Sequence, residues 1–391
     1  MEETDVIVLG AGAAGMMCAL EAGRRGRRVI LLDHARNAGE KIRISGGGRC
    51  NFTNLGIAPD RFLSQNPRFA LSALKRFTQW DIIARLDAAG ITWHEKTLGQ
   101  LFCDGSARQV VDLFLREMAA AGVDLRTGTP ITAVRHDGRF IVETGQGTLA
   151  AQSLVVATGG KSIPKMGATA MGYQIASQFG LRLIETRPGL VPLTFAAQDA
   201  DWMASLAGIA VPMTRIACGR TQFDEALLFT HRGLSGPAIL QISSYWREGD
   251  SLKIDLCPDR DVTTDLRDLR STLTRSAPRT ALARLLPEKL ARHIEEIAGL
   301  DGVMATQSNT TLDRLAALLH GWQVTPVGSE GYRTAEVTLG GVDTDDLDAR
   351  TLQARKVPGL YFVGEVVDVT GWLGGYNFQW AWSSGWAAGQ A

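Results

Sequence analysis

The chain has 391 residues, 45% hydrophobic and 21% charged, which excludes a disordered or fibrous protein and leaves apolar material for two or three packed units. Lys plus Arg and Asp plus Glu each total 41; this balance excludes a global pull toward nucleic acid or an anionic membrane, though not a local patch. The five cysteines, Cys18, Cys50, Cys103, Cys218 and Cys257, are odd in number and never spaced C-x-x-C, which argues against a disulfide framework, a zinc site and a redox dithiol and fits a reducing cytoplasm.

The N-terminal MEETD has no basic stretch before its apolar run, so no signal peptide is expected. Residues 5–9 (DVIVL) predict a buried strand, followed by a glycine turn and a helix to about Arg25. Residues 28–33 (RVILLD) predict a second strand, giving a βαβ opening. Residues 60–90 read as helices, with Phe69, Leu74, Phe77, Ile82 and Leu86 at helical spacing, and 107–121 as another. Short strands are expected over 123–157, with a hairpin turn at Asp137-Gly138. LVVATGG (154–160) is a strand ending in glycines. Composition shifts near Pro188 and Pro192. The pattern then alternates to about 260, is helical over 263–322, and returns to strand at 335–342 and 359–365. The tail from Val369 to Ala391 is uncharged, but its Gly371, Gly374, Gly375, Asn377, Gln379, Ser383 and Ser384 are too polar for a bilayer helix. No membrane association is expected.

These elements predict an α/β fold: a Rossmann-like dinucleotide-binding domain from residues 1–190 and 335–391, split by an inserted β-barrel-like and helical unit at 191–334. The insertion is expected to serve as a substrate cap.

Gly10-Ala-Gly12-Ala13-Ala14-Gly15 follows a strand and opens a helix. Gly10 permits the tight turn, Gly12 admits a pyrophosphate, and Gly15 lets helix and strand pack. The helix N-terminus offers free N–H groups to phosphates. Asp33 ends the second strand, where a carboxylate accepts ribose hydroxyls, and His34 follows it beside the adenosine. This motif alone does not separate NAD from FAD. The later turns at Ala157-Thr158-Gly159 and Gly364-Glu365 favour FAD in a fold of the two-dinucleotide-binding type. The segment from Lys41 through Ser45-Gly46-Gly47-Gly48-Arg49-Cys50-Asn51 is a donor-rich loop suited to a phosphate or a flavin edge.

That loop, GQLFCDGSARQVVDLFL (99–115), LLFTHRGLSGPAIL (227–240) and GLYFVGEVVDVTGWLGGYNFQWAWSSGWAAG (359–389) together resemble the HI0933/YhiN-like flavoprotein family, also called BaiN-like, in the subgroup ending GGYNFQWAWSSG. The resemblance covers essentially the whole chain. It implies a split FAD-binding domain and kinship with fumarate-reductase-type and ketosteroid-dehydrogenase-type flavoproteins. Position by position it implies FAD contacts from Gly10–Gly15, Asp33, Lys41, Ser45–Asn51, the backbone near Ile131, Ala157–Gly159, Gly364-Glu365 and Gly375-Tyr376-Asn377-Phe378. The family often has GSTGDGY where this chain has Gly167-Ala-Thr-Ala-Met-Gly172-Tyr, so no site is assigned there.

For catalysis the candidates are His231, in the T-H-R-G-L-S-G-P turn, and Tyr376, each a proton donor beside the flavin. The plainer reading of the His231 segment is a structural turn, with Ser235 capping a helix that Pro237 starts. Cys50 reads as packing. No metal site is expected. The function expected is an FAD-dependent oxidoreductase driven transiently by NAD(P)H, reducing an activated double bond in a small organic, steroid-like substrate, without nucleic acid. The alternatives are an RNA-modifying flavoprotein of the glucose-inhibited-division type and a non-catalytic flavin-binding regulatory protein. No second G-x-G-x-x-G is present for NAD(P)H.

Overall fold

The computed structural model describes residues 1–391, the side chain of Ala200 excepted. The chain forms two compact units, Met1–Arg187 together with Val337–Ala391, and Pro188–Glu336.

The first unit is built on apolar strands buried on both faces. Val29–Leu32 is wholly buried, and Ile7, Val8 and Leu9 have no exposed surface. Such runs suit a parallel sheet covered on both sides. The sheet runs Asp124–Arg126, Val29–Leu32, Glu2–Leu9, Gly147–Val156, then the hairpin strands Arg139–Thr144 and Ile131–Asp137. Leu360–Phe362 joins Gly147–Val156 in parallel along the part that the hairpin leaves free. The register aligns Leu9 with Leu32 and Val156, Leu32 with Arg126, and Val156 with Phe362. The parallel strands therefore end level, and the turns after them gather at one edge. Backbone bonds stitch that edge: Gly10 N–H to Leu32 O (2.7 Å), Ala157 N–H to Leu9 O (2.8 Å) and Val363 N–H to Val156 O (3.1 Å).

The uncharged tail is core. Helix Tyr376–Gly389 packs on helix Ala13–Arg24 so closely that a side chain at Gly385 would overlap the Ala14 carbonyl. Trp382 stacks on Phe114 at 5.0 Å and donates from Nε1 to Phe52 O (2.9 Å), while Trp380 donates to Gly364 O (3.0 Å). Gln379 and Ser383 both donate to Phe77 O. Thus the tail's polar atoms are satisfied inside protein. Truncating either fully buried indole to alanine would cost about 3–5 kcal/mol. Among the described residues no helix is long and apolar enough to cross a membrane.

The second unit holds a seven-stranded antiparallel sheet ordered Trp322–Val324, Leu252–Asp255, Ala210–Cys218, Thr221–Thr230, Gly233–Ser235, Leu193–Thr194, Gly328–Ser329. The end strands are joined by only residues 325–327, so the sheet must roll to bring its edges near each other. Helices Val262–Thr272, Pro278–Leu282, Glu288–Ile297 and Asn309–Leu319 belong to the same unit. One sequence expectation is corrected here. Ser235 lies in a strand, and the cap of helix Pro237–Ser243 is Gly236, at φ +88°. Any side chain at Gly236 would press within 2.8 Å of Ala226 O and Leu228 N, so only glycine fits.

Candidate functional site

The site gathers where the parallel strands end. Gly10 has φ +104°, and an added Cβ would lie 2.5 Å from Ala157 O; one at Gly15 would overlap Gly10 O. These two glycines are required by the chain's own packing. Gly12 differs: nothing lies within 4 Å of where its Cβ would be. It caps helix Ala13–Arg24, and no side chain bonds to that helix's first amides. An open, positive helix end results. Ala13 and Ala14 are buried behind it. Asp33 braces the turn, its Oδ2 accepting from Ala11 N–H (2.6 Å) and its Oδ1 from Ala35 N–H (2.8 Å). Each oxygen keeps a lone pair for a further donor. His34 is exposed, with Nδ1 3.6 Å from Asp33 Oδ1 and its ring beside Gly167. Ile131 starts the outer hairpin strand, just past Thr129, whose N–H donates to Asp33 O (2.8 Å).

The second loop begins as helix Glu40–Gly48 and breaks at Ser45, Gly46 and Gly47. Gly46, Gly47, Gly48 and Cys50 all have positive φ. Ala107 N–H donates to Gly48 O (2.7 Å) and Cys103 N–H to Arg49 O (2.9 Å), pinning the loop from outside, while the Arg49 side chain is exposed. Cys50 is buried; burial, reinforced by the neighbouring Cys103, pushes its thiol far above the ordinary range against a smaller opposing pull from Ser45. Burial likewise pushes Cys18 up to about 12, and Cys103 and Cys257 to about 11. Such thiols stay protonated at neutral pH and are poor nucleophiles.

Between the two loops sits a charged cluster. Lys41 Nζ donates to Glu365 Oε2 (2.7 Å) and to Ser162 Oγ (3.0 Å). Ser162 Oγ donates to Glu365 Oε1 (2.8 Å), and the Thr338 amide donates to the same oxygen (2.9 Å). Burial pushes the Glu365 carboxyl up, but the Lys41 charge and these hydrogen bonds outweigh it and hold it below the usual carboxylate range. Gly159, at φ +73°, lies against Glu365, Ala157 is buried, and the Thr158 hydroxyl is buried without a hydrogen-bond partner. Gly364 sets Glu365 in place, its N–H donating to Ser384 Oγ (2.9 Å).

The third segment of the site is Gly371–Phe378, a turn that leads into helix Tyr376–Gly389. Asn54 Nδ2 donates to Gly374 O (2.8 Å). Gly375, at φ +97°, abuts the Thr53 carbonyl so tightly that a Cβ would overlap it. With its amide turned to suit its neighbours, Asn51 donates to Leu101 O (3.1 Å) and accepts from Gly375 N–H (3.2 Å). Asn377 clamps the preceding turn, accepting from Gly371 N–H (2.8 Å) and donating to Gly371 O (2.9 Å). Phe378 stacks on Trp382 at 5.8 Å. Tyr376 is buried at 3% exposure; its hydroxyl accepts from Arg61 Nη1 (2.6 Å) and donates to Gly56 O (3.3 Å). In the second unit His231 is exposed at the turn between Thr221–Thr230 and Gly233–Ser235, a turn held by Thr230 Oγ1 accepting from Gly233 N–H (3.1 Å).

The family model described as HI0933-like protein Rossmann domain matches residues 4–391. The chain belongs to the HI0933-like family. This HI0933-like protein is a flavoprotein of the oxidoreductase class with a Rossmann-type fold. It is 52% identical over 392 residues to a ribosomal RNA dihydrouridine synthase of Escherichia coli K12, covering 100% of this chain and 98% of the relative. A protein of the same name from Haemophilus influenzae is 46% identical, covering 97% and 96%. A 3-dehydro-bile acid delta(4,6)-reductase of Clostridium scindens is 28% identical, covering 98% of both. Among solved structures, a 3-ketosteroid-delta4-(5alpha)-dehydrogenase from Rhodococcus jostii in complex with 4-androstene-3,17-dione shares the fold, with a TM-score of 0.51 at 13% identity, covering 100% of this chain and 97% of that one.

Three residues of this candidate site escaped the sequence reading: Ser162 and Thr338, which bind Glu365, and Arg61, which donates to the Tyr376 hydroxyl. None stands in a glycine turn. Ser162 follows the Gly159-Gly160 turn closely, the one local signal available; the others are brought in by strand pairing.

Proposed function

We propose that this protein reduces the C5=C6 double bond of a uridine in ribosomal RNA, using FAD as the resident cofactor and NAD(P)H as the electron donor. The observation that carries the reading is the 52% identity, across essentially both full lengths, to the E. coli protein named ribosomal RNA dihydrouridine synthase. The site supports it. The open cradle at Gly12 and Gly47, beside an uncapped helix end, fits a dinucleotide pyrophosphate. Asp33, His34, Ala157–Gly159 and the backbone near Ile131 would hold the adenosine half. Lys41, Ser45–Asn51 and Glu365 would hold the ribityl-phosphate stretch, and Gly375–Phe378 the pyrimidine edge.

FAD bound there supplies a hydride taken from NAD(P)H. Uridine is an activated acceptor because C5=C6 is conjugated with the C4 carbonyl, so hydride adds at C6 and a proton at C5. The chain's work is to orient the base, exclude water and deliver that proton. Thiols whose pKa burial has raised are weak acids for it; His231 and Tyr376 are the candidate acids, and Tyr376 would have to release its hydrogen bond to Gly56 O to serve. In this reading the substrate is a base within RNA instead of a free small molecule. The C. scindens relative, by name also a reductase, favours a second reading in which the acceptor is a small unsaturated ketone.

The test is anaerobic. The holoprotein is reduced with NADPH or NADH, then mixed with ribosomal RNA lacking dihydrouridine. RNA should reoxidise the flavin, and nucleoside mass spectrometry should find one uridine carrying two extra hydrogens. Reoxidation by unsaturated ketones but not by RNA would reverse the choice between the two readings.

A further inference from the structure

We propose that Arg61 and Trp372 form a nucleotide-recognition platform: the indole stacks a base of single-stranded RNA and the guanidinium binds its phosphodiester. This rests on the RNA reading above and names where that substrate would be gripped.

The two residues are locked side by side by backbone. Phe62–Leu63 pairs antiparallel with Thr370–Gly371, with Phe62 opposite Gly371, and Trp372 N–H donates to Arg61 O (3.1 Å). The guanidinium carbon lies 5.5 Å from the Trp372 ring centre and 5.9 Å from that of Tyr376. The indole and phenol rings meet edge to face at 6.3 Å. Arg61 Nη1 donates to the Tyr376 hydroxyl (2.6 Å). That single bond uses one of five guanidinium N–H donors.

The charge has no anion. Among the described residues no carboxylate lies within ion-pair distance of Arg61, whereas Arg24, Arg85, Arg126 and Arg182 each hold at least two. A half-buried cation held by rings and a phenol keeps its remaining donors for water or an incoming anion. The remaining donors have the planar fork that suits phosphate oxygens. A fixed arginine beside a half-buried indole is the combination that single-stranded RNA recognition uses, base on ring and phosphate on cation. It also stands next to Gly374 and Gly375, the segment proposed above to meet the flavin. A base to be reduced must leave its stack, and this is the surface that would receive it.

The experiment uses purified holoprotein and its Arg61→Gln, Arg61→Lys, Trp372→Leu and Trp372→Phe variants. Flavin content, absorption spectrum and melting temperature are recorded first. Binding of a fluorescent single-stranded oligonucleotide of unmodified ribosomal RNA sequence is then measured across salt concentrations. Trp372→Leu should weaken binding about ten- to a hundredfold with an unchanged salt slope, and Trp372→Phe should retain most of it. Arg61→Gln should weaken binding and reduce the salt slope by about one; Arg61→Lys should keep the slope. Flavin content should be wild type in all four. Variants that lose flavin while still folded would assign the residues to the cofactor and overturn the platform. Wild-type RNA binding in every variant would overturn it as well, leaving the RNA reading intact. Failure of the wild-type protein to bind the RNA would remove both.

Discussion

In the turn Gly10–Gly15 two glycines are dictated by the protein itself: a side chain at Gly10 meets Ala157 O at 2.5 Å, and one at Gly15 overlaps Gly10 O. In the loop Ser45–Gly48 the backbone is left-handed at Gly46, Gly47 and Gly48, yet Gly47 has nothing within 4 Å of its missing Cβ, and Gly48 only Arg43 O at 3.9 Å. The first turn is a folding requirement that leaves one open position, Gly12. The second loop is packed at Gly46, where a Cβ would lie 2.7 Å from the Phe102 ring, and open at Gly47 and Gly48. Successive left-handed residues turn their N–H groups into one concavity, which suits an anion. The same residue type thus serves strand–helix packing in one place and ligand reach in the other.

The largest effect should come from Gly15→Val. Its side chain has nowhere to go between Gly10 and Ala157, so the first unit should fail to fold, read as loss of soluble yellow protein and of the cooperative melt. Gly375→Val should behave alike, since its Cβ overlaps Thr53 O whether or not flavin is present. If either folds normally, packing does not set these glycines.

Asp33→Ala comes next. Loss of a charge-assisted hydrogen bond to the ribose should cost about 1.5–3 kcal/mol, or about ten- to a hundredfold in FAD affinity. Because Asp33 also holds the Ala11 and Ala35 amides, the apoprotein should lose about 1–2 kcal/mol as well. Titration of apoprotein with FAD, alongside apoprotein melts, separates the two. An unchanged dissociation constant would remove Asp33 from the ribose.

Glu365 provides the pH dependence. Burial raises its carboxyl but Lys41, Ser162 and the Thr338 amide outweigh burial, so the folded protein holds it below the unfolded value. Its stabilisation is therefore complete above the ordinary carboxyl range and is lost as pH falls through the lower folded value. Glu365→Gln should flatten the acid limb of a melting-temperature profile between about pH 6 and pH 3. A parallel profile for wild type and variant would contradict this.

The smallest effect should be Gly47→Ala. Open space leaves only the left-handed strain, about 1–2 kcal/mol, so the apoprotein should fold and melt slightly earlier. If it collapses as Gly15→Val does, the contrast between the two loops is wrong.

The features legible in the sequence are those encoded locally. The βαβ opening, the Asp137-Gly138 hairpin and the buried tail follow from short-range pattern. Glycine spacing and Asp33 pointed to a dinucleotide, and the later turns at Ala157–Gly159 and Gly364-Glu365 to FAD. Contacts made by long-range register were hidden: Lys41 meets Glu365 because parallel strands end level, and Arg61 meets Trp372 through a two-residue strand pair. The helix start at Gly236 was missed because serine is the better cap by propensity, while the steric demand of Ala226 O is tertiary.

The first unit is made of two stretches of chain separated by the second. Leu360–Phe362, Glu365 and the helix Tyr376–Gly389 all belong to the stretch that is synthesised after the second unit. Every strand of the Pro188–Glu336 sheet lies between Leu193 and Ser329, so that unit can close during translation while residues 1–187 wait with part of the Gly147–Val156 edge unpaired. The nascent protein therefore passes through a stage with an open β-edge and an uncovered first helix, the kind of surface chaperones bind. A ribosome stalled as residue 336 clears the exit tunnel would therefore carry a finished inserted unit on an unfinished first unit.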